Sequence, residues 1–98
     1  MAADFDLAEV RRIVEQGLAG RPARIYLFGS WARGQGVRTS DIDVAVLPLE
    51  PLPEGTLSHI REALDESLVV YPVDLVDLSE TTPEFRQKVE REGILWSG

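Results

Sequence analysis

Residues 27–44 read LFGSWARGQGVRTSDIDV, and this stretch predicts how the rest of the chain is organised. An apolar strand ends at Gly29 and Ser30, a loop rich in glycine and arginine follows, and a second apolar strand begins at Asp41 and Asp43. Ten residues separate Ser30 from Asp41. Because alternate residues of a strand project to the same face, we expect the two aspartates to lie side by side.

The aspartate pair has the chemistry of a divalent-metal site. Two adjacent carboxylates repel each other unless a cation neutralises them, and their oxygens suit Mg²⁺. A third carboxylate on the neighbouring strand would allow two ions to bind. Asp74 is the candidate, because it lies in an apolar strand where an unpaired carboxylate is costly. An arginine-paired or edge position is the alternative for Asp74, while Asp77 is interpreted as a turn residue.

Gly29 and Ser30 form a candidate phosphate site. Backbone N–H groups at a helix start bind anions, and glycine lets a phosphate approach closely. Arg33 and Arg38 flank the loop and could contact triphosphate oxygens bidentately; solvated loop charges are the alternative for both. Trp31 is expected to pack on a neighbouring helix, with a nucleobase contact or a protein interface as the other interpretations.

Composition predicts one α/β domain over residues 1–98 and excludes several classes of function. A net charge of −7, with one lysine and nine arginines, argues against binding to long nucleic acid. The sequence has no membrane-length apolar run and no signal-peptide pattern, so we expect a cytoplasmic protein. It has no cysteine, and the single histidine, His59, cannot complete a zinc site.

Hydrophobic periodicity predicts the order α-β-(short α)-β-α-β-α. We expect helices at about residues 6–19 and 56–68 and from Pro83 to Gly93, with a short helix at 30–33. Strands are expected at 23–28, 41–48 and 70–78, followed by an apolar tail at 94–96. Asp6 and Glu9 resemble a helix-capping pair. This alternation predicts helices packed on a small mixed sheet with the second strand central.

The longer pattern of residues 29–43, Gly-Ser-x-Ala-Arg-Gly followed by Ser-Asp-Ile-Asp, resembles the motif of the polymerase-β-like nucleotidyltransferase superfamily. In particular it is similar to the minimal nucleotidyltransferases (MNT), and the resemblance covers nearly the whole chain. It implies that superfamily's core fold. It also implies transfer of a nucleoside monophosphate from a nucleoside triphosphate such as ATP to an acceptor hydroxyl, with two Mg²⁺ ions.

The resemblance also implies roles for individual residues. Carried over by position, Gly29 and Ser30 would hold the triphosphate. Asp41 and Asp43 would bind both metal ions. Asp74 would be the third carboxylate, which binds metal and activates the acceptor hydroxyl.

The resemblance further implies a partner protein. Larger relatives that modify antibiotics or RNA carry a second domain for the acceptor, whereas small domains of this kind often act as antitoxins that adenylylate a tyrosine of a HEPN-type RNase toxin. We therefore expect transfer of AMP from ATP to a HEPN toxin, with Trp31 and Trp96 as candidate contacts. The alternatives are a non-catalytic binding module and a small-molecule nucleotidyltransferase that builds its acceptor site as a homo-oligomer.

Overall fold

A four-stranded sheet forms the centre of the computed structural model, which describes residues 2–37 and 40–97. The strands lie in the order β3-β2-β1-β4. Their bounds are β1 Ala23–Phe28, β2 Ile42–Pro48, β3 Val73–Asp77 and β4 Ile94–Ser97. The helices are α1 Ala2–Leu18, α2 Thr56–Asp65 and α3 Pro83–Glu92, with a single 3₁₀ turn, Leu78–Glu80, before α3.

The sheet is mixed, as the alternation of elements predicts. Strand β1 pairs antiparallel with both β2 and β4, whereas β2 and β3 are parallel and are joined through α2. Strand β2 lies inside the sheet, and the middle of β1 is buried on both faces. The predicted α/β architecture, with helices packed on a small mixed sheet, is thus confirmed.

Side chains on the two faces of the sheet build two separate cores. On the first face, α1 and α2 cover a larger core that includes Ile42, Val44 and Val46 of β2. On the second face, which we call the α3 face, Ala45 and Leu47 pack with Tyr26 of β1 and with residues of the 3₁₀ turn and α3. Asp43 has the same parity as Ala45, so its side chain lies on the α3 face.

Two predicted elements differ from the structure. Residues 94–97 are not an apolar tail but the edge strand β4, in which Ile94 pairs with Leu27. Residues 30–34 form hydrogen-bonded turns and no helix. A mixture of i+3, i+4 and i+5 hydrogen bonds joins residues 29–35, and Gly34 has φ 71°, outside the helical region. Four residues before such a glycine are too few to propagate a helix.

The start of the chain also differs from its prediction. Because α1 begins at Ala2, Asp6 lies within the helix and does not cap it. Its side chain is 3% exposed, and Oδ1 accepts a hydrogen bond of 3.4 Å from the backbone N–H of Val70. Asp6 therefore ties α1 to the segment that leads into β3. In the described ranges no helix is long and apolar enough to cross a membrane.

Candidate active site

Strand register brings the predicted aspartates to one place on the α3 face. Asp43 of β2 is the direct partner of Asp74 on the parallel strand β3. On its other side, Asp43 is the partner of Phe28 at the end of β1. Asp41 lies just before β2, two residues from Asp43, and therefore has the same parity. Asp43 and Asp74 thus lie side by side on neighbouring strands, and Asp41 lies just before the same end of β2.

Electrostatics around Asp43 confirm that these charges interact. Burial raises the pKa of Asp43, and the negative charges of Asp74 and Asp41 raise it further. The positive charge of Arg33 acts in the opposite direction and lowers this pKa. A carboxylate surrounded by like charge and partly removed from water favours a cation or a proton beside it.

Asp74 is exposed, contrary to the expectation that it lies deep in an apolar strand. Strand β3 is an edge strand of the sheet, so water reaches the Asp74 carboxylate. Burial therefore provides no argument for a metal role. The proximity of Asp74 to Asp43 is the argument for a metal role, because the register of the parallel pair holds the two side chains side by side.

Gly29 lets the turn after β1 approach Asp43 closely. It has φ 75°, a conformation that side-chain-bearing residues rarely adopt. A Cβ atom at this position would also collide with Oδ2 of Asp43. The backbone conformation thus favours glycine where the chain passes the carboxylate, and a Cβ atom there would also force the Asp43 side chain to move.

Trp31 anchors the loop that joins the glycine turn to the aspartates. Its indole packs against the larger core and meets Tyr71 edge-on, with ring centroids 5.1 Å apart. Nε1 donates a 3.3 Å hydrogen bond to the carbonyl oxygen of Ser40, next to Asp41. Gly36 lies so close to the indole ring that a Cβ atom there would overlap it. The packing interpretation of Trp31 is therefore confirmed, and Trp96 packs against the same core.

Ser30, Arg33 and Arg38 are the remaining candidates for the phosphate site. Ser30 is half-buried at the first turn position, and its carbonyl accepts a 2.8 Å hydrogen bond from Gln35 N–H. Arg33 is exposed, and its Nε donates a 3.3 Å hydrogen bond to Gln35 Oε1. Arg38 lies outside the described residues.

The carboxylate oxygens of the three aspartates suit a hard cation such as Mg²⁺, although the side chains do not converge on a single point. In the described part of the chain, no three acidic or histidine side chains are close enough together to bind one ion. Asp41, Asp43 and Asp74 nevertheless supply oxygen donors alone, which hard cations prefer. A cation beside Asp43 would relieve the like-charge repulsion from Asp74 and Asp41.

Asp77 and His59 have the surroundings that the sequence predicted. Asp77 Oδ1 accepts hydrogen bonds from the backbone N–H and the hydroxyl of Ser79, at 2.9 and 2.6 Å, so its interpretation as a turn residue is confirmed. His59 is exposed on α2, as expected.

The sequence interpretation missed a cleft beside the aspartates. Its volume is about 190 Å³, and it is lined by Phe28, Gly29, Arg33, Phe85, Lys88, Val89 and Glu92. The rings of Phe28 and Phe85 form one wall, edge to face at 5.7 Å. The helical spacing of Phe85 and Lys88, three residues apart, was the available signal. A larger open groove of about 650 Å³ runs along residues 48–58, at the opposite end of β2 from Asp43.

A glycine turn that abuts the Asp43 carboxylate, with Asp74 in register beside it on the same sheet face, is the arrangement expected of a nucleotidyltransferase. Comparison with known proteins agrees. Residues 12–96 match the family model described as "Polymerase beta, Nucleotidyltransferase". The chain belongs to this family.

Relatives and solved structures show which members of the family the chain is similar to. It is 31% identical over 86 residues to the probable protein adenylyltransferase MntA of Haemophilus influenzae, covering 88% of this chain and 74% of that protein. It is also similar to a chain in the crystal structure of a toxin–antitoxin with AMP-PNP. That match has 32% identity and a TM-score of 0.70, and it covers 90% of this chain and 73% of the other.

A further similar structure contains a modified toxin. It holds the tri-AMPylated HEPN toxin of Shewanella oneidensis in complex with an MNT antitoxin. The matched chain is 26% identical with a TM-score of 0.71, and the match covers all of this chain and 73% of that one. The similar structures thus include toxin–antitoxin complexes.

Proposed function

We propose that this chain is a Mg²⁺-dependent protein adenylyltransferase that transfers AMP from ATP to a hydroxyl of a HEPN-type toxin and acts as that toxin's antitoxin. The observation that carries the proposal is the register of Asp43 with Asp74, beside the close approach of Gly29 to Asp43. Similarity to MntA and to an antitoxin in complex with an AMPylated toxin supports the choice of acceptor.

In the proposed reaction, the triphosphate and the acceptor hydroxyl lie on opposite sides of Asp43. Gly29 and Ser30 follow β1, on one side of Asp43, and would hold the triphosphate of ATP. Asp74 lies on β3, on the other side. In-line displacement needs the attacking and leaving oxygens on opposite sides of the α-phosphorus. This arrangement supports entry of the acceptor from the β3 side and departure of pyrophosphate on the β1 side.

The proposed step conserves atoms and charge. A lone pair of the acceptor oxygen forms the new bond to the α-phosphorus, and the bond from the α-phosphorus to the bridging oxygen breaks. Pyrophosphate leaves with that electron pair. The Asp74 carboxylate accepts the hydroxyl proton, as a general base must lie beside the proton that it removes. Exposure of Asp74 supports this role, because a partner's side chain can reach it.

Asp41, Asp43 and Asp74 are the residues that would hold Mg²⁺, with two ions proposed. Bound there, the metal would neutralise the charge that develops on the phosphate oxygens. Arg33 and Arg38 would add contacts to the triphosphate. A cytoplasmic location is part of the proposal, since both ATP and a toxin that acts on cellular RNA are found there.

Position-specific labelling of ATP tests the transfer. The chain is incubated with a HEPN-type toxin, Mg²⁺ and ATP labelled on either the α- or the γ-phosphorus. We expect the α-label, and not the γ-label, to appear on the toxin. Label from the γ-position would indicate a kinase and contradict the proposal. Toxin neutralised without any label would indicate a binding module, and label on a small hydroxylated compound alone would indicate a small-molecule enzyme.

A further inference from the structure

We infer that the cleft between Phe85 and Arg33 is the subsite for the β- and γ-phosphates of the nucleotide, and that Lys88 is a phosphate-binding residue. This inference rests on the proposed function. It adds to the site a residue from α3, a helix that the sequence motif does not include. Three observations carry it: the position of the cleft, the cations that line it and the absence of ion pairs to those cations among the described residues.

The cleft lies on the leaving-group side of the site. Phe28 and Gly29, which line it, end β1 and begin the turn that abuts Asp43. Asp74 lies on the other side of Asp43, because β3 and β1 flank β2. A group bound in the cleft would therefore contact the part of the nucleotide remote from the acceptor, which is the pyrophosphate portion of ATP.

Two cations from distant parts of the sequence meet at this cleft, in a molecule with a net charge of −7. Arg33 comes from the turn after β1, and Lys88, the only lysine of the chain, comes from α3. Phosphate oxygens are strong acceptors for both groups. A volume of about 190 Å³ is enough for a pyrophosphate group and too small for an entire nucleotide.

Neither cation forms an ion pair within the described parts of the chain, although the charge of Arg33 also acts on Asp43. The other two cations of α3 form ion pairs, Arg86 with Glu90 at 2.9 Å and Arg91 with Glu92 at 3.3 Å. Among residues 4–37 and 40–97, no ion pair includes Lys88 or Arg33. Glu92 also lines the cleft, but Arg91 already offsets its charge. The cleft therefore presents net positive charge beside the aspartates.

Comparison of ATP with AMP tests this subsite by binding alone. Calorimetry with Mg²⁺ measures the affinity of the full chain and of its variants for ATP, for AMP and for inorganic pyrophosphate. For Lys88→Gln, we expect ATP and pyrophosphate affinity to fall about tenfold, the loss of one charge-assisted contact, with AMP affinity unchanged. Lys88→Arg should retain most of the affinity for ATP. Both positions are exposed, so Arg86→Gln is a control that removes one positive charge from the same helix, away from the cleft.

The possible outcomes distinguish failure of this inference from failure of the proposed function. An equal loss of ATP and AMP affinity in Lys88→Gln would place the nucleoside in the cleft and overturn the inference. So would unchanged ATP affinity, or an equal loss in Arg86→Gln. If wild type binds ATP through Lys88 but modifies no toxin, the subsite stands and the proposed function fails. If wild type modifies the toxin and Lys88→Gln keeps the same KM for ATP, the subsite alone fails.

Discussion

At Asp43 the stability of the fold conflicts with the chemistry proposed for the site. Its pKa is raised by burial and by the charges of Asp74 and Asp41, so the folded state holds a proton there more tightly than the unfolded chain does. Stability then falls as the pH rises from the ordinary aspartate pKa through the raised pKa, and the full cost is present above the raised pKa. Such a cost is expected at a site kept for function.

Asp43→Asn should remove this cost. We expect its free energy of unfolding to equal or exceed that of wild type at pH 7, without added metal, and its advantage to shrink as the pH is lowered toward 4. Urea denaturation across that pH range measures the difference, with Asp65→Asn on the exposed end of α2 as the matched control. Lower stability of Asp43→Asn at neutral pH would show that the carboxylate is a structural partner.

Part of the candidate site can be predicted from the sequence, and whether a residue can be predicted depends on its structural context. Spacing alone predicts that Asp41 and Asp43 share a face, because strand parity is local. The partnership of Asp74 with Asp43 depends on β2–β3 register, which spacing does not specify. An edge position for Asp74 was only the alternative in the sequence analysis, because strand order decides which strand is an edge and spacing does not give that order. Lys88 was missed because α3 reaches the cleft only through tertiary packing.

The turn and loop at residues 29–37 are the element on which the site depends. Gly29 and Gly36 each lie against a side chain that a Cβ atom would displace, Asp43 and Trp31 respectively. Trp31 in turn joins the loop to the larger core and hydrogen-bonds to Ser40. The sequence predicts a short helix here from its residue types. Close packing against the indole and a left-handed Gly34 favour turns instead.

Trp31→Ala should affect both stability and nucleotide binding. Loss of a half-buried indole should lower the free energy of unfolding by about 2 kcal/mol, somewhat less than a fully buried Trp→Ala change. It should also raise the KM for ATP, because Ser30 and Ser40 lose their common anchor. Val37→Ala, at a position 59% exposed in the same loop, should change stability by less than about 0.5 kcal/mol. Equal effects of the two substitutions on KM would contradict the anchoring role.

At the scale of the whole molecule, the two faces of the sheet have different roles. Helices α1 and α2 cover one face of the sheet, where the larger core lies. The α3 face has a smaller core, and at its open end lie the aspartates and the cleft. The alternation of elements is sufficient to predict this α/β architecture. Strand β4 was not predicted, because three apolar residues after a helix show no periodicity that distinguishes a strand from a tail.

Binding of MgATP should stabilise the whole domain. A ligand specific for the folded state adds about 2.7 kcal/mol at 100 times its Kd, which should raise the Tm by roughly 10 °C or more for a domain of this size. The shift should be much smaller with ATP in EDTA and in Ser30→Ala, whereas Ser58→Ala on exposed α2 should behave as wild type. Equal shifts with and without EDTA would argue against a metal-bridged triphosphate.

The intact mass of the partner toxin, measured after incubation with MgATP and each form of this chain, tests the central claim most directly. With wild type we expect the toxin to gain the mass of one or more AMP groups and to lose RNase activity. With Asp74→Asn, which should still bind MgATP and the toxin, we expect no added mass and an active toxin. Added AMP with Asp74→Asn at the wild-type rate, or neutralisation of the toxin without added mass, would contradict the account.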